Sequence, residues 1–258
     1  MPEELASMKE QVYKDPRPKE YFDRFHERSR TREPDWVYEV VRIVTSLYAW
    51  MFFRARGIAA ENVPTGPVII APNHFSFMDH FFVGAFIRRR VRFMAKSQLF
   101  SFPLKFIFFH GGVFPVRRGQ RDEEAFVTAE QVLREGGLVT IYPEAGRSRT
   151  GKLAEHAKPG VGRLALDSGA PVVPTAIHGT LKARNWKRLQ FPKVTLLFGE
   201  PVTFPAEEGA SRERHQEVAD EIFARVRELY AELDREGRKG VVKRDRLQRR
   251  AARRAATT

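Results

Sequence analysis

From residue 63 onward, short β-rich apolar runs alternate with stretches whose apolar residues recur at helical spacing. The runs predict strands over Val68–Ala71, Val91–Ala95, Val113–Val116, Leu138–Tyr142, Val172–Ile177 and Val194–Phe198. Between them the periodicity predicts helices over Asp79–Ile87, Pro103–Phe109, Asp122–Arg134 and Gly160–Leu166. Asp122, Glu123 and Glu124 crowd the first turn of the third, where acids suit the helix dipole, and the Glu135-Gly136-Gly137 run ends it. Such alternation predicts an α/β fold, a central and largely parallel sheet flanked by helices. Residues 211–237 read as one long, charged C-terminal helix.

The N-terminal part is helical and amphipathic. In "WVYEVVRIVTSLYAWMFF" (36–53), Val37, Val40, Val41, Val44, Leu47, Tyr48 and Met51 form one stripe, and Glu39, Arg42 and Ser46 sit opposite. Its charge-free apolar part, Ile43 to Phe53, is only 11 residues, whereas a spanning helix needs about 20. The stripe either packs on the core or lies in a membrane interface, with Trp36, Trp50, Phe52 and Phe53 at its flanks. The first twenty residues are charged throughout and carry no signal-peptide pattern.

Charge sharpens this picture. The chain has 258 residues and a net charge of +13, which points to an anionic partner. Residues 238–258 hold nine Arg or Lys against one Asp, a net +8, and read as a basic, flexible tail. The expected organisation is thus an N-terminal helical, interface-prone segment (1–58), a main domain (59–237) and the tail (238–258). No helix-turn-helix, zinc-finger or aromatic RNA-binding signature is present, so nucleic acid is not expected. Absence of Cys excludes disulfides and thiol nucleophiles and fits a reducing compartment.

Three polar constellations follow predicted strands, at the end of a parallel sheet where ligands bind. The first is His74 and Asp79. On one continuous helix five residues turn by about 140°, so these side chains meet only across a turn. Ser76-x-x-Asp79 supplies it as a capping box, leaving His74 in the loop and Asp79 in the first helical turn. The second is Arg117 and Arg118; the third is Glu144, Arg147 and Arg149 in a Gly-rich loop. Guanidinium forks match phosphate oxygens. A base beside arginines suggests proton abstraction next to a phosphate. The alternative is that Asp79 only caps, His74 only fills, and the arginines are solvated. "GRSRTGKL" (146–153) fails as a phosphate loop, because Leu153 stands where Ser or Thr must hold magnesium, and "GRSRT" lacks the last Gly of a hydrolase elbow. A metal site at His74, Asp79 and His80 has no supporting cluster.

These residues resemble the glycerolipid acyltransferases of the 1-acylglycerol-3-phosphate acyltransferase type. "NHFSFMD" (73–79) matches the family's N-H-x-x-x-x-D motif, and "GGVFPVR", ending at Arg117, matches G-x-x-F-x-x-R. "YPEAGRS" (142–148) stands for F-P-E-G-T-R-S, and "PVVPTAI" around Pro174 for the V-P strand, with "AKPGVGRLAL" (157–166) similar to the helix start between them. The resemblance covers roughly residues 60–205. It implies that His74 is the general base, that Asp79 fixes its tautomer, and that Asn73, Arg117, Glu144, Gly146, Arg147 and Ser148 bind substrate. It further implies direct attack of a lysophospholipid hydroxyl on an acyl thioester carried by coenzyme A or acyl carrier protein, with no cofactor and no metal. Lysophosphatidic acid is the expected acceptor, with glycerol 3-phosphate or another lysolipid as alternatives, and an enzyme peripheral on the cytoplasmic face of an anionic membrane is the expected setting. A non-catalytic basic binding protein on the same fold is the rival, although a binder needs no base. The chain departs from the family at Ala145 and Gly146, where Gly and Thr are usual.

Overall fold

A computed structural model describes residues 15–117, 122–148, 150–183 and 191–255. Seven strands form one sheet: β1 (Arg56–Ile58), β2 (Val68–Pro72), β3 (Val91–Lys96), β4 (Phe114–Val116), β5 (Leu138–Thr140), β6 (Val172–His178) and β7 (Thr195–Phe198). Their order is β1-β7-β6-β2-β5-β3-β4. All neighbours are parallel except β6 and β7. The central strand β2 is buried at all five positions, as its unbroken apolar run requires of a strand covered on both faces. Because β7 and β1 run opposite to the rest, their first residues lie at the rim where β2 and β6 end. Arg56 is level with Thr195, and Thr195 with His178.

Eight helices are described: α1 (Glu20–Thr31), α2 (Trp36–Phe53), α3 (Asp79–Phe86), α4 (Leu104–His110), α5 (Glu123–Arg134), α6 (Gly160–Ser168), α7 (Thr180–Ala183) and α8 (Arg212–Ala255). Alternation along β2 assigns the layers. Ile69 and Ala71 face a core built with α5, α6 and α8, while Val68 and Ile70 face one built with α2 and α3. At Gly162 a Cβ would stand 2.0 Å from His215 O, so the α6–α8 contact needs a residue without one.

Three expectations change. The segment 36–53 is one helix, but its core face is Val37, Tyr38, Ala49 and Phe53. Much of the stripe read from periodicity points outward: Val40, Val44, Leu47 and Met51 are exposed, with Trp36 at 70% and Trp50 at 69%. The basic segment after 237, expected as a flexible tail, is helical to Ala255, because Val241 is buried against Ile58, Leu197 and Leu233. Gly237, at φ 65° and ψ 169°, breaks α8 and turns its second part onto β1. Since β1 belongs to the sheet, borders at 58 and 237 cut through packed structure. Among the described residues no helix is long and apolar enough to cross a membrane.

Candidate active site

β2 delivers the chain to the rim at Pro72, and α3 starts at Asp79. The turn between them brings the predicted pair together: His74 Nδ1 lies 2.9 Å from Asp79 Oδ2. The same oxygen accepts from the backbone amides of Phe75 and Ser76, each at 2.8 Å. The Ser76 amide is the reciprocal half of the expected capping box; the other half has shifted by one residue, with Ser76 Oγ accepting from Met78 N at 3.2 Å. Asp79 is fully buried and His74 only 4% exposed, so the imidazole is fixed in a largely dry setting. With Nδ1 engaged by the carboxylate, Nε2 remains as the ring nitrogen for an incoming group.

The third motif braces this histidine from the other side. Glu144 Oε2 accepts from His74 N at 2.7 Å, and Ser148 N donates to His74 O at 2.9 Å. Glu144 Oε1 accepts from Ala154 N at 3.1 Å, and burial pushes the Glu144 carboxyl above its usual pKa. Ser148 Oγ donates to Lys152 O at 2.7 Å. The Glu144 carboxylate and the Ser148 amide thus hold the loop against His74, while Ser148 Oγ closes the loop on itself.

Asn73 is likewise occupied. Its Nδ2 donates to Ile177 O at 3.1 Å and its Oδ1 accepts from Ile177 N at 2.6 Å, clamping the turn onto β6.

Beside His74 opens a chamber of about 340 Å³. Val41, Phe77, Phe81, Met94, Leu99, Ile107 and Phe108 make it mainly apolar, and Arg42, His80, Lys96, Gly146 and Arg147 also line it. Arg147 is exposed. An apolar cavity with a few convergent polar groups suits an amphiphile. Arg117 is not among the residues that line it. It follows β4, three strand spacings or about 14 Å from β2, where its amide donates to Asp122 Oδ2 at 2.6 Å and its buried Nε has no partner among the described residues. Arg118 and Arg149 lie outside the described residues.

One side-chain contact and one backbone angle escaped the sequence reading. Tyr142 stacks on His74, centroids 4.0 Å apart and planes 26° from parallel, and burial holds its phenol well above the usual pKa. The sequence reading had it only as the last residue of the predicted strand Leu138–Tyr142 and the first of "YPEAGRS". Ala145 takes φ 49°, the left-handed region that favours the Gly usual in the family.

Residues 56–178 match the family described as Acyltransferase. Among its relatives is the chloroplastic 1-acyl-sn-glycerol-3-phosphate acyltransferase of Brassica napus, 26% identical over 55% of this chain and 42% of that protein. The human 1-acyl-sn-glycerol-3-phosphate acyltransferase beta is 31% identical over 50% of this chain and 48% of its own. The chain thus spans less than half of either relative. Among solved structures, the 1-acyl-sn-glycerophosphate acyltransferase PlsC of Thermotoga maritima superposes with a TM-score of 0.60 at 27% identity, covering 75% of this chain and 80% of that one.

Proposed function

We propose that the chain is an O-acyltransferase that moves an acyl group from a thioester to the free hydroxyl of a 1-acylglycerol 3-phosphate, giving phosphatidic acid. The observation that carries this reading is the buried His74–Asp79 pair beside an apolar chamber that His74 lines. Asp79 keeps the proton on Nδ1, so Nε2 accepts the hydroxyl proton as the oxygen attacks the thioester carbonyl. The tetrahedral intermediate collapses with loss of the C–S bond. The departing sulfur takes the proton back from His74, leaving an oxygen ester and a free thiol. No serine or cysteine nucleophile takes part. The chamber accommodates acyl chain, and Arg147 and Arg117 meet the acceptor's phosphate. Glu144, Ser148 and Asn73 act by holding the His74 backbone and its turn. The acceptor class rests on the relatives' names together with those two arginines.

The acceptor and the product are bilayer amphiphiles, and in this reading the enzyme works peripherally on the cytoplasmic face of a membrane. The exposed apolar side of α2, from Trp36 to Met51, supports this reading. The test is mass spectrometry of products formed from a panel of lysolipids and glycerol 3-phosphate with an acyl thioester. Phosphatidic acid formed by the wild type and not by His74→Ala supports the proposal; no acylated product from any acceptor overturns it.

A further inference from the structure

Beyond Gly237 the charges of α8 are sorted by face. Arg244 pairs with Glu232 and Glu236, and Arg249 with Glu61 and Asp245. Lys239, Lys243, Arg246 and Arg250, at i, i+4, i+7 and i+11, form a separate stripe. With Arg56 of β1 they line a groove of about 470 Å³ floored by Val242 and Leu247. No acidic residue lines it, and among the described residues none of these five side chains is bonded to a carboxylate. Arg238, at the head of the groove, is committed elsewhere: it donates to Thr195 Oγ1, Arg54 O and Val194 O, fastening this part of α8 to β7 and the end of α2. Five uncompensated cations held on a helix and a strand make a built anion site.

Its place matters. Arg56 is level with Thr195 and His178 on the rim where His74 sits, three strand spacings from β2, or about 14 Å. Arg117 ends β4 three spacings away on the opposite flank. His74 therefore lies midway between two basic flanks. With the acceptor phosphate assigned to the Arg117 and Arg147 side, the Arg56 flank is left for the other reactant. In a coenzyme A thioester, about 13 covalent bonds separate the sulfur from the first phosphorus. At the roughly 1.2 Å per bond of an extended chain, they reach about 15 Å. That matches the spacing.

We infer that the groove formed by Arg56, Lys239, Lys243, Arg246 and Arg250 binds the phosphates of the acyl donor, a thioester on 3′-phosphorylated adenosine diphosphate, and so selects coenzyme A as the carrier. This rests on the acyl-transfer reading above.

The test uses the full chain and Arg56→Gln, Lys243→Gln and Arg246→Gln, singly and combined, all at exposed positions. Each is assayed with one acyl group carried on coenzyme A and, in parallel, on phosphate-free pantetheine. The expected result is a donor KM for acyl-coenzyme A raised about tenfold per lost contact, with kcat and acceptor KM unchanged. Acyl-pantetheine kinetics stay the same in all variants. Adenosine 3′,5′-bisphosphate competes with acyl-coenzyme A in the wild type and not in the combined variant. An unchanged donor KM overturns the inference. If the variants then also release anionic vesicles in cosedimentation, the groove is a bilayer contact. Equal losses on both donors overturn it too, as a structural effect. Transfer from acyl-pantetheine by the wild type keeps the acyl-transfer reading standing whatever the groove does; no transfer from either donor ends both.

Discussion

Asp79 holds His74 through a single carboxylate oxygen that also takes the amides of Phe75 and Ser76, so orientation of the ring and shape of the turn depend on the same atom. The two residues should therefore separate in mutagenesis. His74→Ala is expected to cut turnover by roughly 10²–10⁴-fold or more with the unfolding midpoint nearly unchanged. Asp79→Asn is expected to lose most activity and about 1–3 kcal/mol of stability, because an amide cannot accept three bonds at one oxygen without leaving a buried donor unpaired. Steady-state rates beside urea titrations check this. Near-normal turnover in folded His74→Ala protein sinks the catalytic assignment.

The arginines offer a second separation. Arg147→Ala and Arg117→Ala are expected to raise the KM for the acceptor about tenfold or more and to leave that of the donor alone, since each removes a charge-assisted contact to phosphate. Should Arg117→Ala move neither constant, its distance from β2 would mean that the acceptor phosphate is met by Arg147 alone.

Ala145 is held at a backbone angle that glycine adopts without cost. Ala145→Gly is therefore expected to stabilise the fold by about 1 kcal/mol, visible as a Tm rise of about 2–4 °C. A fall in Tm would mean that the added freedom of the unfolded chain outweighs the relieved strain.

Docking through α2 has its own signature. Trp50→Ser with Leu47→Ser, both at exposed positions, should weaken cosedimentation with neutral and anionic vesicles alike while leaving rates on detergent-dispersed substrate intact. Salt should weaken the anionic component only. Wild-type protein that is active yet sediments with no vesicle at low salt rules out this docking.

His26 is buried, 3% exposed, beside Thr128. Burial, with the Arg30 charge second, lowers its pKa from 6.5 to about 4. The unfolded chain therefore binds a proton between pH 6.5 and 4 that the folded one refuses. Stability is full above this window and falls by about 3 kcal/mol across it as pH drops. Glu144, raised by burial, acts in the opposite sense, so the comparison to make is with His26→Gln. Urea titrations at pH 7.5 and 4.5 should give a smaller difference in that variant. An equal difference refutes the assignment.

The strands around the site were legible because β2, β3, β5 and β6 are apolar runs bounded by turn residues, and burial on both faces demands such runs. β1 was not, since only Ile58 of its three residues is buried. Periodicity found the apolar face of α2 but not what covers it. Val37, Tyr38, Ala49 and Phe53 pack inward, whereas Val40, Val44 and Leu47 look out; Phe53, read beside Trp50 as an interfacial flank, is core. The charge count of the last segment masked Val241, whose burial makes it helical structure rather than tail. At the site, His74 and Asp79 were legible because their meeting needs only a local turn. That Arg117 follows the edge strand, three spacings from β2, depends on strand order, which no local pattern encodes.

The Asn73–Ile177 clamp joins parts of the chain 104 residues apart, with most of the sheet lying between them in sequence. On the ribosome, then, the histidine turn is made early but cannot be locked until β6 has emerged and paired with β2. A nascent or prematurely terminated chain ending before Ile177 has no partner for that amide and no strand against which to seat its turn. Seating of the histidine turn thus waits on a strand made 104 residues later, and a fragment ending before Ile177 would carry the motif without its clamp.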